Sequence, residues 1–314
     1  MNMQELSYED QYKNMLMDVL NNGTKSDDRT GVGTTRALGK QLRINLQDGF
    51  PLLTLKRTSF RQILTELRWF LSGSTNIKYL VDNGCNIWNE WADETGDLGL
   101  MYGAHWRRKP GHHFCYMSYT DEELVNEGLT REEASSRRGY NTVSTEDLRT
   151  DPEYQDRVDN AYHDQIANLV RGIKDTPNSR RLIVDSWDVN CIKHQALACC
   201  HNMFQVLIMG GKLNMVVTQR SADLFLGVPY NVASYAILTH VLAYQCGYEV
   251  GELLFNFGDA HVYHNHWDQV LEAVSRESKP LPTLRMLPGC SVDNCQVELD
   301  GYTSHPYIKA KVAV

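Results

Sequence analysis

The sequence predicts a single α+β domain carrying a polar surface insertion. Three observations lead there. Helical and strand patterns both recur from one end of the chain to the other. No internal repeat and no Pro- or Gly-rich linker divides it. One stretch, Lys109 to Asp159, departs in composition, being polar, charged and short of aliphatics. At 314 residues the chain can hold one large core or two modest ones. Its 42% hydrophobic and 22% charged residues exclude wholesale disorder, collagen and coiled coil.

The elements follow in order. Tyr8 to Leu20 carries a helical pattern that ends near Asn21-Asn22-Gly23. Asp27 to Thr35 is a polar loop with two glycines, either a turn feeding a strand or an anion-binding loop with Arg29 as its cation. Phe60 to Leu71 is the clearest amphipathic helix: Phe60, Ile63, Leu64, Leu67, Phe70 and Leu71 follow the 3.6 period, and Gly73 stops it. Ile87 to Trp106 is rich in aromatics but broken by Asp93, Glu94, Gly96, Asp97 and Gly99, which suggests a loop lining a site. After the insertion come a helix over Ala161–Ile173, a turn at Asn178-Ser179-Arg180-Arg181 and a strand over Leu182–Ser186. Gly210-Gly211 between the alternating runs Phe204–Met209 and Leu213–Gln219 predicts a hairpin. Asn231 to Cys246 is apolar nearly all round and predicts a central buried helix, with Pro229 before it and Gly247 after. Leu253–Phe257 closes the set as a strand.

Charge and cysteine usage narrow the function. The formal net charge is −8, a poor match for bulk nucleic acid or an anionic membrane. Any phosphate must be bound by a few local arginines. No apolar run approaches the roughly 20 residues of a membrane span. No secretory signal is visible at Met1-Asn2-Met3, so a cytoplasmic setting is expected. The eight cysteines contain no Cys-x-x-Cys pair, so reduced thiols are expected rather than a disulfide framework or zinc half-sites.

Chemistry-bearing residues cluster at strand ends. Glu66 lies at the edge of the buried stripe of its helix, either as a rim salt bridge or as a partly desolvated acid or base. Cys200 stands beside His201, but adjacent residues of a strand face opposite ways, so the two form no simple dyad. Cys200 is either a small buried residue or a nucleophile activated by cations such as Arg220, Arg180 or Arg181. Gln219-Arg220-Ser221-Ala222-Asp223 gathers cation, hydroxyl and carboxylate at one strand end. Asn231 is either a helix N-cap or an amide that reads a donor–acceptor pair on a heterocycle. Asp259, His261 and Tyr263 share a face if extended, with His261 and Tyr263 placed to grip a sugar hydroxyl. A metal site at His261, His264 and His266 lacks an acidic or thiol partner at the right spacing.

Taken in order, these motifs are specific. Arg29-Thr-Gly-Val-Gly-Thr, Glu66-Leu-Arg-Trp-Phe-Leu-Ser-Gly, Ile87-Trp-Asn-Glu-Trp, Ser179-Arg-Arg, Cys200-His, Gln219-Arg-Ser-Ala-Asp-Leu-Phe-Leu-Gly, Asn231-Val-Ala-Ser-Tyr and Gly258-Asp-Ala-His-Val-Tyr closely resemble the folate-dependent thymidylate synthase family. The likeness spans residues 1–314 apart from the insertion at about 109–159. It implies a bent mixed β-sheet covered by helices, with two copies paired through the sheet. It implies one-carbon transfer from 5,10-methylenetetrahydrofolate to carbon 5 of dUMP, giving dTMP and dihydrofolate. Cys200 then matches the nucleophile, Glu66 the carboxylate that organises proton transfers, and Tyr102 the residue linked to removing the carbon 5 proton. Arg29, Arg220 and Ser221 match phosphate ligands, with Arg180 and Arg181 lent by the second copy. Gln219, Asn231, His261 and Tyr263 match the remaining nucleotide contacts. Ile87, Trp88, Asp223, Leu226, Gly227, Tyr230 and Ala313 match the folate side, and the resemblance implies no metal.

Four positions depart from the family pattern. Cys199 stands where proline usually precedes the nucleophile, and Ser59 stands where a histidine is often found. Leu100 and Lys311 also replace common prolines. A related reading stays open: a hydroxymethylase in which water replaces hydride, leaving tetrahydrofolate. Asn231 favours uracil, since a cytosine-directed relative is expected to carry Asp there.

Overall fold

Helix boundaries follow from local hydrogen bonds. The computed structural model describes residues 6–28, 30–110, 162–189 and 191–312. The first helix, α1, spans Tyr8–Asn22; Ser7 Oγ accepts the Asp10 N–H at its start. It buries Tyr12, Leu16 and Val19. Strands β1 (Thr24–Ser26) and β2 (Thr34–Asn45) pair antiparallel. Helix α2 spans Phe60–Ser72, capped by Ser59 and closed by Gly73 at φ 71°. Two short helices follow, α3 (Lys78–Asp82) and α4 (Gly103–Arg108).

The insertion expected at about 109–159 lies almost wholly outside the described residues. Its flanks are described: β3 (Lys109–Pro110) pairs antiparallel with β4 (Tyr162–His163), which sets the two ends side by side. Helix α5 spans Gln165–Asp175, four residues later than the apolar pattern alone predicts. The reason is local: the Asp164 carboxylate accepts the Ala167 N–H and fixes the start.

Strand β5 (Ile183–Asp185) is followed by the predicted hairpin, β6 (His201–Met209) and β7 (Lys212–Asp223). Gly210 and Gly211 have φ of 58° and 76°, as a two-residue hairpin turn demands. Helix α6 (Gly227–Cys246) then crosses to β8 (Glu249–Tyr263). Both elements are longer than the sequence pattern predicts. Pro229 sits inside the first turn of α6, where its missing N–H has no intrahelical partner to lose. Asn231 is therefore a residue of the helix body and not its N-cap. Helix α7 (Trp267–Ser275) and the hairpin of β9 (Thr283–Met286) and β10 (Val297–Asp300) complete the chain.

The main sheet is mixed, in the order β1-β2-β8-β7-β6-β5. Only β7 and β8 run parallel. Helix α6 connects them and packs on both strands and on α2, so it is buried nearly all round. This is the α+β architecture the sequence predicts. Among the described residues no helix is long and apolar enough to cross a membrane. The two parallel strands end together, with Ser221 opposite Asp259 and Asp223 opposite His261. Polar side chains from both strands are thereby gathered at one edge of the sheet.

Helices α2 and α4 meet at Gly103. A Cβ there would run into the Phe70 backbone, which cannot swing aside as a side chain could. Gly103→Ala is expected to cost about 1–3 kcal/mol through overpacking. Denaturant unfolding of the two proteins checks this, with a lower midpoint expected for the variant.

Candidate active site

The carboxyl ends of β7 and β8 meet the start of α6, and a loop enters β6 beside them. That loop carries Ala198, Cys199 and Cys200, and Arg220 of β7 fastens it. The Arg220 N–H donates to Cys200 O at 2.8 Å. Its guanidinium donates through Nε to Cys199 O at 3.0 Å and through Nη2 to Ala198 O at 2.7 Å. Its face lies 5.3 Å from the Trp187 ring centroid. One arginine thus fixes three consecutive peptides.

Cys200 is partly exposed. Burial raises its thiol above the ordinary range, against the pull of Arg220 and of the Tyr102 hydroxyl. The expected lowering by cations does not prevail, because desolvation of the thiolate outweighs it. His201 turns away into the core. Its Nδ1 lies 2.8 Å from Tyr235 Oη, and burial lowers its pKa to about 3. A neutral, inward-facing imidazole forms no dyad with Cys200, as the strand alternation predicts.

Tyr102 stands over the same loop. It is the one non-glycine with positive φ among the described residues, at 38°. Such a conformation costs on the order of 1–3 kcal/mol and persists only where its surroundings enforce it. Here its ring stacks on His201 at 4.2 Å and lies 5.0 Å from Phe70. Its hydroxyl oxygen accepts the Cys200 N–H at 2.9 Å, and its own N–H donates to Cys199 Sγ at 3.1 Å. Burial keeps the phenol protonated well beyond neutral pH.

Glu66 resolves in favour of the buried reading. It sits within α2 at 6% exposure and pairs with no cation among the described residues. Trp88 Nε1 donates to its Oε1 at 2.8 Å. Burial raises this carboxyl to about 7, with the Trp88 bond acting in the opposite sense. Trp88 in turn packs against Trp69, Trp91 and Tyr102, with Ile87 beside them against the core.

On α6, Asn231 Oδ1 accepts from Gln219 Nε2 at 3.1 Å, while the same Nε2 donates to Ser221 O at 3.0 Å. Gln219 Oε1 is buried without a partner among the described residues. Asp223 Oδ1 accepts the Phe225 and Leu226 N–H groups at 3.0 and 3.2 Å, which starts the turn into Gly227 and α6. Tyr230 Oη donates to Gln62 Oε1 at 3.1 Å. On β8, His261 Nδ1 lies 3.3 Å from Asp259 Oδ1, and Asp259 also pairs with Arg36. The His261 and Tyr263 rings meet edge-on at 5.3 Å.

The remaining sequence candidates are placed as follows. Arg29 and Ala313 lie outside the described residues. Arg180 and Arg181 are exposed on the turn before β5, and neither side chain has an ion pair among the described residues. The three clustered histidines make separate side-chain contacts: His261 Nδ1 meets Asp259, His266 Nε2 lies 2.7 Å from Lys311 O, and the His264 ring meets Trp267 edge-on at 6.0 Å. Ser59 is the cap of α2. One residue escapes the sequence pattern altogether. Lys56 is 3% exposed, donates to Phe225 O at 2.7 Å and lies 3.9 Å from the Phe225 ring centroid. Burial lowers its ammonium to about 8 while Asp223 pulls the other way. Its only signal is position, a lysine ending the apolar run Leu52 to Leu55.

A thiol, a buried carboxyl, an oriented amide and a phenol are thus linked through Trp88, Tyr102 and the Gln219 strand position opposite His201. A family model described as thymidylate synthase matches residues 10–314.

The Glu66 shift has a stability consequence. Its folded-state pKa lies above the unfolded value, so the folded protein binds more protons between about 4.5 and about 7. Stability from this group is therefore full at low pH and is lost as pH rises through about 7. The loss amounts to roughly 3 kcal/mol. Glu66→Gln, which keeps an acceptor for Trp88, should be more stable than the parent at pH 8. The two should converge below about pH 4. Unfolding midpoints across that pH range check the sign.

Proposed function

The chain belongs to the thymidylate synthase family, and from that premise we propose that it methylates carbon 5 of dUMP reductively, giving dTMP and dihydrofolate. The family supports folate-dependent one-carbon transfer to dUMP; the reductive outcome and the residue roles are the proposal. The observation that carries it is the Gln219–Asn231 pair beside Cys200. Gln219 fixes the Asn231 amide so that Oδ1 still has a lone pair and Nδ2 remains a free donor. That pattern suits the N3–H and O4 of uracil. Cytosine reverses it.

Cys200 adds to carbon 6 of the base. The thiol is held protonated by burial, so its proton must leave as the nucleotide settles. Addition moves negative charge to O4, where the Asn231 donor stabilises it. Carbon 5 becomes nucleophilic and takes up the one-carbon unit. Glu66 can accept and return protons near neutral pH, and removal of the carbon 5 proton is the step assigned to Tyr102. Arg220 and Ser221 serve the phosphate, joined by Arg29 and by Arg180 and Arg181 from a second copy. His261 and Tyr263 grip the ribose hydroxyl.

The residues on the folate side fit a flat, donor-rich heterocycle. Asp223 keeps Oδ2 unspent, and Leu226, Gly227 and Tyr230 line the start of α6. Bound 5,10-methylenetetrahydrofolate would supply the carbon and the hydride. Trp88 supports hydride over water. It is 8% exposed and packed among aromatics, an apolar wall where water would otherwise enter. Hydroxymethylation is the alternative outcome.

Incubation with dUMP and methylenetetrahydrofolate should yield dihydrofolate and a product with the mass of dTMP. Tetrahydrofolate and one added oxygen would assign hydroxymethylation instead. Asn231→Asp should move preference toward dCMP, and an unchanged base preference counts against Asn231 as the reader.

A paired sheet is part of the proposal. The face of the sheet away from α6 carries Leu207, Val216 and Leu254, all partly exposed. Such apolar residues on an uncovered sheet face suit a second copy. Cys200→Ala and Arg180→Ala/Arg181→Ala should each lose turnover. Mixed and allowed to exchange subunits, they should regain it, because one site in each mixed pair is then complete. No recovery would sink the shared-site arrangement.

A further inference from the structure

We propose that Cys199 is a positioning residue whose sulfur holds the Tyr102 backbone and so sets the Tyr102 hydroxyl against Cys200. The proposal deepens the reading of Cys200 as the nucleophile. It rests on two hydrogen bonds that run in opposite directions between the same two segments. The Tyr102 N–H donates to Cys199 Sγ at 3.1 Å, and the Cys200 N–H donates to Tyr102 Oη at 2.9 Å. Backbone and side chain of one residue are thereby tied to two consecutive residues of the nucleophile loop.

The sulfur answers a need. Tyr102 holds φ at 38°, and its N–H lies between buried residues: Cys199 is 0% exposed and Tyr102 2%. An alanine at 199 would leave that N–H buried and unpaired, a penalty normally relieved by an acceptor. Proline, the family's usual residue here, carries no side-chain acceptor either.

The hydroxyl geometry gives the tie its purpose. Because Tyr102 Oη accepts from the Cys200 N–H, its hydrogen is not spent there and can face the Cys200 sulfur. Groups acting on that sulfur are Tyr102 from the turn before α4, Arg220 and Asp223 from β7, and Cys199 in its own loop. Of these, Tyr102 alone is anchored through Cys199 Sγ. Cys199 is not a second nucleophile: burial pushes its thiol up to about 12.

The test reads Cys200 alkylation by iodoacetamide against pH in the ligand-free protein, located by fragment mass. Cys199→Ala should raise the midpoint by about half a unit, a roughly three-fold loss of thiolate at fixed pH. Cys199→Ser, which restores an acceptor, should bring it back. Tyr102→Phe should raise the midpoint similarly, and Cys199→Ala added to it should change nothing further. In turnover, Cys199→Ala should lower kcat while the dUMP dissociation constant stays within two-fold. An unmoved midpoint, or an equal shift with and without the Tyr102 hydroxyl, would overturn the proposal. Should Cys199→Ala not fold, hydrogen exchange at the Tyr102 amide of the unaltered protein decides: strong protection supports the tie and free exchange removes it. Absence of dUMP turnover in the parent protein would defeat the functional reading while leaving the alkylation result to stand or fall separately.

Discussion

Everything at the site depends on one guanidinium. Arg220 spends two of its donors on the carbonyls of Ala198 and Cys199, and its backbone N–H on Cys200. Charge-assisted bonds of this kind contribute about 1.5–3 kcal/mol each. They fix the loop that would otherwise enter β6 freely. The choice has an electrostatic cost, since donors committed to carbonyls are not aimed at the Cys200 sulfur. That is why burial still governs the thiol. An arginine used in this way orients a thiol more than it ionises one, and its remaining donors are not spent on the loop.

Burial, rather than charge pairing, sets the shifts of three groups described above. Glu66 is raised to about 7, Lys56 lowered to about 8 and His201 lowered to about 3, and desolvation is the leading cause in each. The same force has three consequences because the groups begin from different places. It moves a carboxyl and an ammonium toward neutrality, where both can exchange protons. It moves an imidazole out of the useful range and leaves it as an aromatic platform for Tyr102. The aromatic density from Trp88 to Trp106 supplies the low-dielectric surroundings.

The parts of the fold legible in the sequence are those set by periodicity and glycine. The stripe of α2, its stop at Gly73 and the Gly210-Gly211 hairpin are local patterns, and the structure shows each of them. The late start of α5 and the early start of α6 are not legible, because a capping Asp164 and a first-turn Pro229 decide them against the apolar pattern. Among the candidate site residues, the side-chain types are legible in the sequence and their contacts are not. Glu66 is ambiguous until Trp88, from a distant loop, closes over it. Lys56 leaves no pattern at all, since its partner is the backbone carbonyl of Phe225. Cys199 is visible only as a departure, and its use depends on an N–H that no side-chain pattern encodes.

The proposed reading of the base ties specificity to the parallel strand pair. A lone amide on a helix can rotate about its last bond and present oxygen or nitrogen to a ligand alike. Asn231 is denied that freedom because Gln219 donates to its oxygen. Gln219 is itself restrained, since the same nitrogen also donates to Ser221 O two residues along β7. The restraint therefore runs from strand backbone to glutamine to asparagine. Its strength depends on β7 staying in register with β8, where Ser221 stands opposite Asp259 and Gln219 opposite Phe257. Replacing the Asn231 nitrogen by a carboxylate oxygen keeps an acceptor for Gln219 and removes only the donor proposed to read the base. On that proposal base preference is a property of one atom, and the fold's contribution is to stop that atom from exchanging places with its neighbour.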